Sequence, residues 1–141
     1  MSEWFYRRFD NAINPESQYF GLFLLMDARA IASEKIGHAA AALLTRGLAS
    51  LCTWGPNCER VHDIFDEVEV ERNLDRETDD VIMTTWHAKD TLEEALRYFV
   101  HVAFPADGYL KECRDWIVAP IASREWEKEI RRAMRDTVGE S

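Results

Sequence analysis

The chain has 141 residues, 47% of them hydrophobic and 11% aromatic, the size and make-up of one globular domain that buries a core without disulfides or a structural metal. Its 26 acidic and 17 basic residues leave a formal charge of -9, and such a surface repels nucleic acid and anionic lipid, which disfavours both as partners. Three cysteines at irregular spacing, Cys52, Cys58 and Cys113, with no apolar leader before them, argue against a disulfide framework and for a reducing, cytoplasmic setting.

Residues 1–17 carry Trp4, Phe5, Tyr6 and Phe9 among Arg7, Arg8 and Asp10, and close on the turn-forming cluster Asn14-Pro15-Glu16-Ser17. They read as an aromatic arm packed on a single domain spanning 1–141, or as the surface of a homodimer or protein partner, because aromatic side chains anchor interfaces. From Gln18 to Met26 the chain is continuously apolar without a helical period, which predicts a central strand buried on both faces. The run is far shorter than the roughly 20 residues of a membrane helix, so no membrane association is expected. Ala32, Ile36, Ala39, Ala40, Leu43 and Leu44 then recur at helical spacing, and Arg46-Gly47 stops that first helix.

Leu48–Thr53 predicts a second strand, and Trp54-Gly55-Pro56-Asn57 turns the chain into a helix started by Pro56 or Asn57, with Val61, Ile64, Phe65 and Val68 on one face. Its acidic residues Asp63, Asp66, Glu67, Glu69 and Glu71 read as an exposed face. Val81–Thr85 predicts a third strand. Asp90-Thr91-Leu92-Glu93 has the form of a capping box, opening a helix that buries Leu92, Ala95, Leu96, Phe99 and Ala103 before Pro105 ends it. After a turn at Ala106-Asp107-Gly108, Trp116–Ala119 with Ile121 predicts a fourth strand, and Ser123 caps a last amphipathic helix carrying Trp126, Ile130, Ala133 and Met134. Strands alternating with helices imply a three-layer α/β/α sandwich, with a four-stranded, mainly parallel, flavodoxin-like sheet in the expected order 2-1-3-4.

In such sheets the ligand crevice lies at the carboxyl ends of the strands. That rule collects Asp27 and Arg29, the segment Thr53 to Cys58, then Thr85, Trp86 and His87. Cys58 stands in the first turn of the second helix with His62 one turn further on, so the helix terminus could lower the thiol pKa and the imidazole could take its proton. Equally, Cys58 leads the stripe Val61, Phe65, Val68 and reads as a small buried hydrophobe, with His62 a boundary residue bonded to a neighbouring acid. A metal site from Cys58, His62 and His87 is the next arrangement to weigh, but no paired C-x-x-C or H-E-x-x-H spacing supports it, and no metal or cofactor is assigned. His38, His101 and Cys113 are assigned to structure or solvent.

Trp54-Gly55-Pro56-Asn57-Cys58 is similar to the thioredoxin turn but lacks its first cysteine, so dithiol redox chemistry is not supported. No G-x-G-x-x-G, G-x-x-x-x-G-K-[S/T] or G-x-S-x-G occurs, which removes the usual warrants for dinucleotides, triphosphates and α/β-hydrolase chemistry. Receiver-type phosphotransfer fails as well, because Thr85-Trp86-His87 stands where an aspartate would be needed.

The segments Trp54-Gly55-Pro56-Asn57-Cys58-Glu59-Arg60-Val61-His62-Asp63 and Thr84-Thr85-Trp86-His87 resemble a family of small bacterial proteins that share W-G-x-x-C-E-x-x-H-D and T-T-W-H strings over about residues 18–122. That resemblance implies no reaction, substrate or partner. Two expectations of different kinds remain. One is a non-catalytic protein-binding module, inhibitor-, immunity- or accessory-like, using the acidic surface and the aromatic arm. The other is a small enzyme or ligand sensor in which Cys58 is the thiolate or ligand, His62 or His87 the acid/base and Asp27 the orienting carboxylate, with Trp54, Thr85 and Trp86 lining the pocket.

Overall fold

The computed structural model describes residues 3–6, 17–74, 81–121 and 124–138. Among them lie the strands β1 (Glu3–Tyr6), β2 (Tyr19–Leu25), β3 (Leu48–Trp54), β4 (Met83–Trp86) and β5 (Cys113–Pro120), and the helices α1 (Ser33–Arg46), α2 (Cys58–Asn73), α3 (Leu92–His101) and α4 (Arg124–Val138). A 3-10 turn, Asp107–Glu112, leads into β5. The four expected strands are all present and parallel, and residues 3–6 of the arm add a fifth, paired with β5 from Glu3 opposite Asp115 to Tyr6 opposite Val118. The arm's turn at 14–16 and the Ser123 cap lie outside the described residues. No helix among the described residues is long and apolar enough to cross a membrane.

The strands run in the order β1-β5-β2-β3-β4. Counting only the four strand-helix units this is 3-2-1-4, which corrects the expected 2-1-3-4. Burial explains the difference. Along β5 every residue but one is buried, whereas β4 is exposed or half-buried throughout, so β5 belongs inside the sheet and β4 at its margin. The order also assigns the helices to layers. A crossover of fixed hand puts its helix on the face chosen by the direction of travel. Two steps one way, β2 to β3 to β4, stack α1 and α2 on one face; the step back to β5 sends α3 to the other, where α4 joins it.

Alternate residues of β2 serve the two layers, and this is why its sequence shows no amphipathic period. Phe20, Leu22 and Leu24 pack with Ile36, Leu43, Val61 and Phe65 under α1 and α2. Phe23 and Leu25 pack with Leu92, Leu96, Phe99, Trp116 and Ile130 under α3 and α4, with Phe99 centred 5.6 Å from Phe23 and 5.5 Å from Trp116. Gly21 is required on that face: a Cβ there would stand 2.3 Å from Cε3 of Trp116.

Two helix boundaries bear on the site. α1 ends as expected at Gly47, whose N–H donates to the carbonyls of Leu43 and Leu44. The start of α3 differs by one residue from the expected capping box. Thr91 is the cap: its hydroxyl accepts from the Glu94 N–H at 3.1 Å, and the Glu94 carboxylate accepts from the Thr91 N–H at 2.9 Å. That shift leaves the Asp90 side chain free of capping duty. Ala103, expected within the helix, lies past its end and packs half-buried against the same core.

Candidate functional site

At the carboxyl edge of β3 and β4 two histidines stand on opposite faces of the sheet. The pleat of β4 sends Thr84 and Trp86 toward α2, and Met83 and Thr85 toward α3. On the α2 face, His62 Nδ1 donates to Asp63 Oδ1 at 2.9 Å, and its Nε2 lies 3.0 Å from the Thr84 hydroxyl and 3.3 Å from Asp66 Oδ2. The Thr84 hydroxyl donates its proton to Asp66 Oδ1 at 2.9 Å. The indole of Trp86 covers the His62 ring with centroids 4.5 Å apart. On the α3 face, His87 Nδ1 donates to Asp90 Oδ2 at 2.8 Å, and its Nε2 lies 2.9 Å from the Thr85 hydroxyl, which is also 3.3 Å from Cys52 Sγ. Tyr98 of α3 packs against that imidazole at 4.8 Å.

The residues expected to form one Cys/His site are therefore dispersed. His62 and His87 stand on opposite faces of the sheet, and among the described residues no three of His, Cys, Asp and Glu are grouped to hold a metal ion. Cys58 is buried to 1% exposure, and His62 is engaged by Asp63, Asp66 and Thr84 rather than by its thiol. Asp27 is occupied elsewhere. Its carboxylate accepts from the Arg29 guanidinium at 2.6 and 2.9 Å and from the Arg29 N–H, and these bonds hold its pKa down at about 2. Trp54 and Trp86 wall no common pocket either: the Trp54 indole donates to the Asp90 carbonyl at 2.9 Å and meets Trp126 of α4, on the face opposite Trp86. Of the expected pocket residues, Thr85 lines a cavity.

The conspicuous turn Trp54-Gly55-Pro56-Asn57-Cys58 has a packing explanation. Met26 N–H donates to the Trp54 carbonyl and Ala28 N–H to that of Pro56, so the turn is laced to the end of β2. Gly55 adopts φ 121°, and a Cβ there would lie 2.2 Å from the Met26 carbonyl oxygen. Asn57 at φ 66° then starts α2 in a left-handed conformation that Asn tolerates, and the buried Thr53 hydroxyl donates to the Cys58 carbonyl at 3.1 Å. Arg60, unremarked in the sequence, clamps the loop after β2 by donating to the carbonyls of Ala28 and Ile31, both at 2.7 Å, and to Ser33 Oγ. At the point where the strand order reverses, between β2 and β5, the Ile121 N–H donates to the Leu25 carbonyl. These bonds draw the chain after β2, β3 and β5 together at the switch point.

What stays open is the margin. Among the described residues β4 pairs with β3 and has no strand beyond it. Val81, Met83 and Trp86 are 48%, 47% and 45% exposed, and Val102 and Phe104, just past α3, are 50% and 63% exposed. On the α3 side Cys52, Met83, Thr85, Tyr98, Val102 and Phe104 line a cavity of about 220 Å³. On the α2 side stand the carboxylates of Asp63 and Asp66, 60% and 44% exposed. Three of the residues that shape this margin, Asp63, Asp66 and Asp90, were read from sequence as solvent-facing or as a cap. The signals were present in the spacings: Thr-x-His on alternate strand positions, and His followed at i+3 or i+4 by Asp.

No curated protein and no solved structure matches the chain. A family model described as Domain of unknown function (DUF7684) matches residues 6–137, nearly the whole of it, and the chain belongs to that family.

Proposed function

We propose that the domain is a non-catalytic protein-binding module that engages its partner along the β4 margin. The observation that carries this reading is a short edge strand with exposed Met83 and Trp86, an arrangement that natural proteins cover or charge unless something docks there. The state of the reactive groups supports it. Burial pushes the Cys52 thiol up to about 12 and the Cys113 thiol to about 11, Cys58 is enclosed, and both imidazoles are bonded through each nitrogen.

A photo-crosslinking residue at Met83, compared with one at His38 on the exposed side of α1, tests the proposal. The expected result is one discrete covalent adduct from position 83, identified by mass spectrometry, lost on Trp86→Ala and absent from position 38. Equal labelling from both positions, or none from 83, would refute it.

One observation favours the second reading, a small enzyme. Asp90, His87 and Thr85 form an acid, imidazole and hydroxyl chain beside the 220 Å³ cavity, the order in which an orienting carboxylate, a base and a nucleophile are placed. Thr85→Val separates the two: it abolishes any turnover while leaving the crosslink from position 83 in place.

A further inference from the structure

The occupant of the β4 margin can be described chemically, and the description rests on the binding reading above. We infer that it is an extended segment of a partner protein in which apolar and basic residues alternate, added to β4 as a further strand of the sheet.

The backbone admits such a strand. His87 N–H donates to the Thr53 carbonyl at 3.0 Å, which turns the odd-numbered residues of β4 toward β3. In a parallel ladder the N–H and C=O groups of the intervening residues, Thr84 and Trp86, then face the other way, to the outer edge. Ile82, of the same parity, shows what the start of that edge does. Its N–H is satisfied by the Glu69 carboxylate at 2.7 Å, so the ladder open to a newcomer begins at Thr84.

The two faces that flank this ladder differ in chemistry. Side chains of an added strand alternate between them with period two. Those directed to the α3 face meet the cavity walled by Met83, Val102 and Phe104 and fit it only if apolar. Those directed to the α2 face meet the half-exposed indole of Trp86 and the carboxylates of Asp63 and Asp66. An aromatic face beside carboxylates attracts a guanidinium or ammonium group.

Charge decides between a partner and a second copy of the chain. The formal charge is -9, and residues 81–88 contain no Asp, Glu, Lys or Arg to offset it locally. Two copies joined through β4 about a two-fold axis would bring their α2 flanks to the same side of the merged sheet, setting Asp63 and Asp66 of one against those of the other. A basic strand is attracted where a second copy is repelled.

The test uses three fluorescein-labelled peptides on the full chain, read by anisotropy: alternating Leu-Arg-Leu-Arg-Leu-Arg-Leu, the same residues in two blocks, and the alternating Leu/Glu form. Saturable binding is expected for the first alone, weaker by about tenfold in Trp86→Ala, in Asp63→Asn and in Met83→Arg, with circular dichroism unchanged, and weaker in high salt. Equal binding of the block or Leu/Glu peptide, or indifference to all three substitutions, overturns the inference. Sedimentation showing a dimer that Met83→Arg dissociates overturns it in favour of a second copy. If no peptide binds while the Met83 crosslink still forms, strand addition fails and the binding module stands; if neither is seen, both fail.

Discussion

His62 and His87 occupy one edge of one sheet, yet they are held in different ways. The ring bonds of His87 reach Thr85 and Asp90, two and three residues away, so the imidazole itself is held by the strand end and the turn that follows. The bonds of His62 reach Asp63 and Asp66 on its own helix and Thr84, 22 residues on, so its network bolts α2 to the edge strand. The lesson is one of leverage. A local network shapes the path of the chain, whereas a long-range one determines whether a four-residue strand, paired among the described residues with β3 alone, stays in place.

The largest expected effect separates the two networks directly. His62→Ala should cost about 3 kcal/mol, since it leaves Thr84 and Asp66 without the ring and removes the surface on which Trp86 rests. His87→Ala should cost about 1–2 kcal/mol, because Thr85 keeps Cys52 as a neighbour. Urea midpoints at unchanged m decide it, and a reversed order would mean that the turn, not the helix, holds the edge.

Double-mutant cycles sharpen the contrast at a smaller scale. His62→Ala combined with Thr84→Val should show a coupling of about 1 kcal/mol, and His62→Ala combined with His87→Ala less than about 0.5 kcal/mol, because the pairs lie on separate faces. Strong coupling between the histidines would show that the sheet transmits what it was taken to divide.

The smallest expected effect concerns Glu69, which holds the Ile82 N–H where the edge begins. Burial raises its carboxyl pKa, outweighing the hydrogen bond from Ile82 that lowers it. A raised acid binds its proton more tightly when folded, so its contribution is most favourable below the unfolded pKa and is lost as pH rises through the folded one. Glu69→Gln removes that slope. Compared with the parent, it should gain a few tenths of a kcal/mol at pH 7 relative to pH 4, since the partly exposed group is screened. Urea midpoints at the two pH values would reveal an effect of the opposite sign if the Ile82 bond outweighed burial.

Much of this arrangement was legible in advance. The apolar run before Met26, the α1 stripe from Ile36 to Leu44, the α4 stripe and the stop at Gly47 each follow from residues close together in the chain and appear where expected, while Ala32 falls just outside α1 as its exposed cap. Strand order was less accessible, although a cue existed: the two threonines of β4 against the uninterrupted Trp116–Ala119 run of β5 mark which of the two belongs at the margin. The segments Trp54–Asp63 and Thr84–His87 did fall on one sheet edge. Neighbouring strand positions, however, point to opposite sides, so Trp86 and His87, adjacent in the chain, serve different layers.

The α/β class, the alternation of strands and helices and the two-sided burial of β2 were readable from short stretches of chain, because they depend on periodicity and local conformational preference. That β5 inserts beside β2, that His62 and His87 take opposite faces of the sheet, and that Trp86 stands over His62 at an open margin emerges only from the packed fold. Those outcomes depend on which strands become neighbours and which face each residue takes. Such choices are settled by the burial of whole elements against one another, a competition that no short segment records.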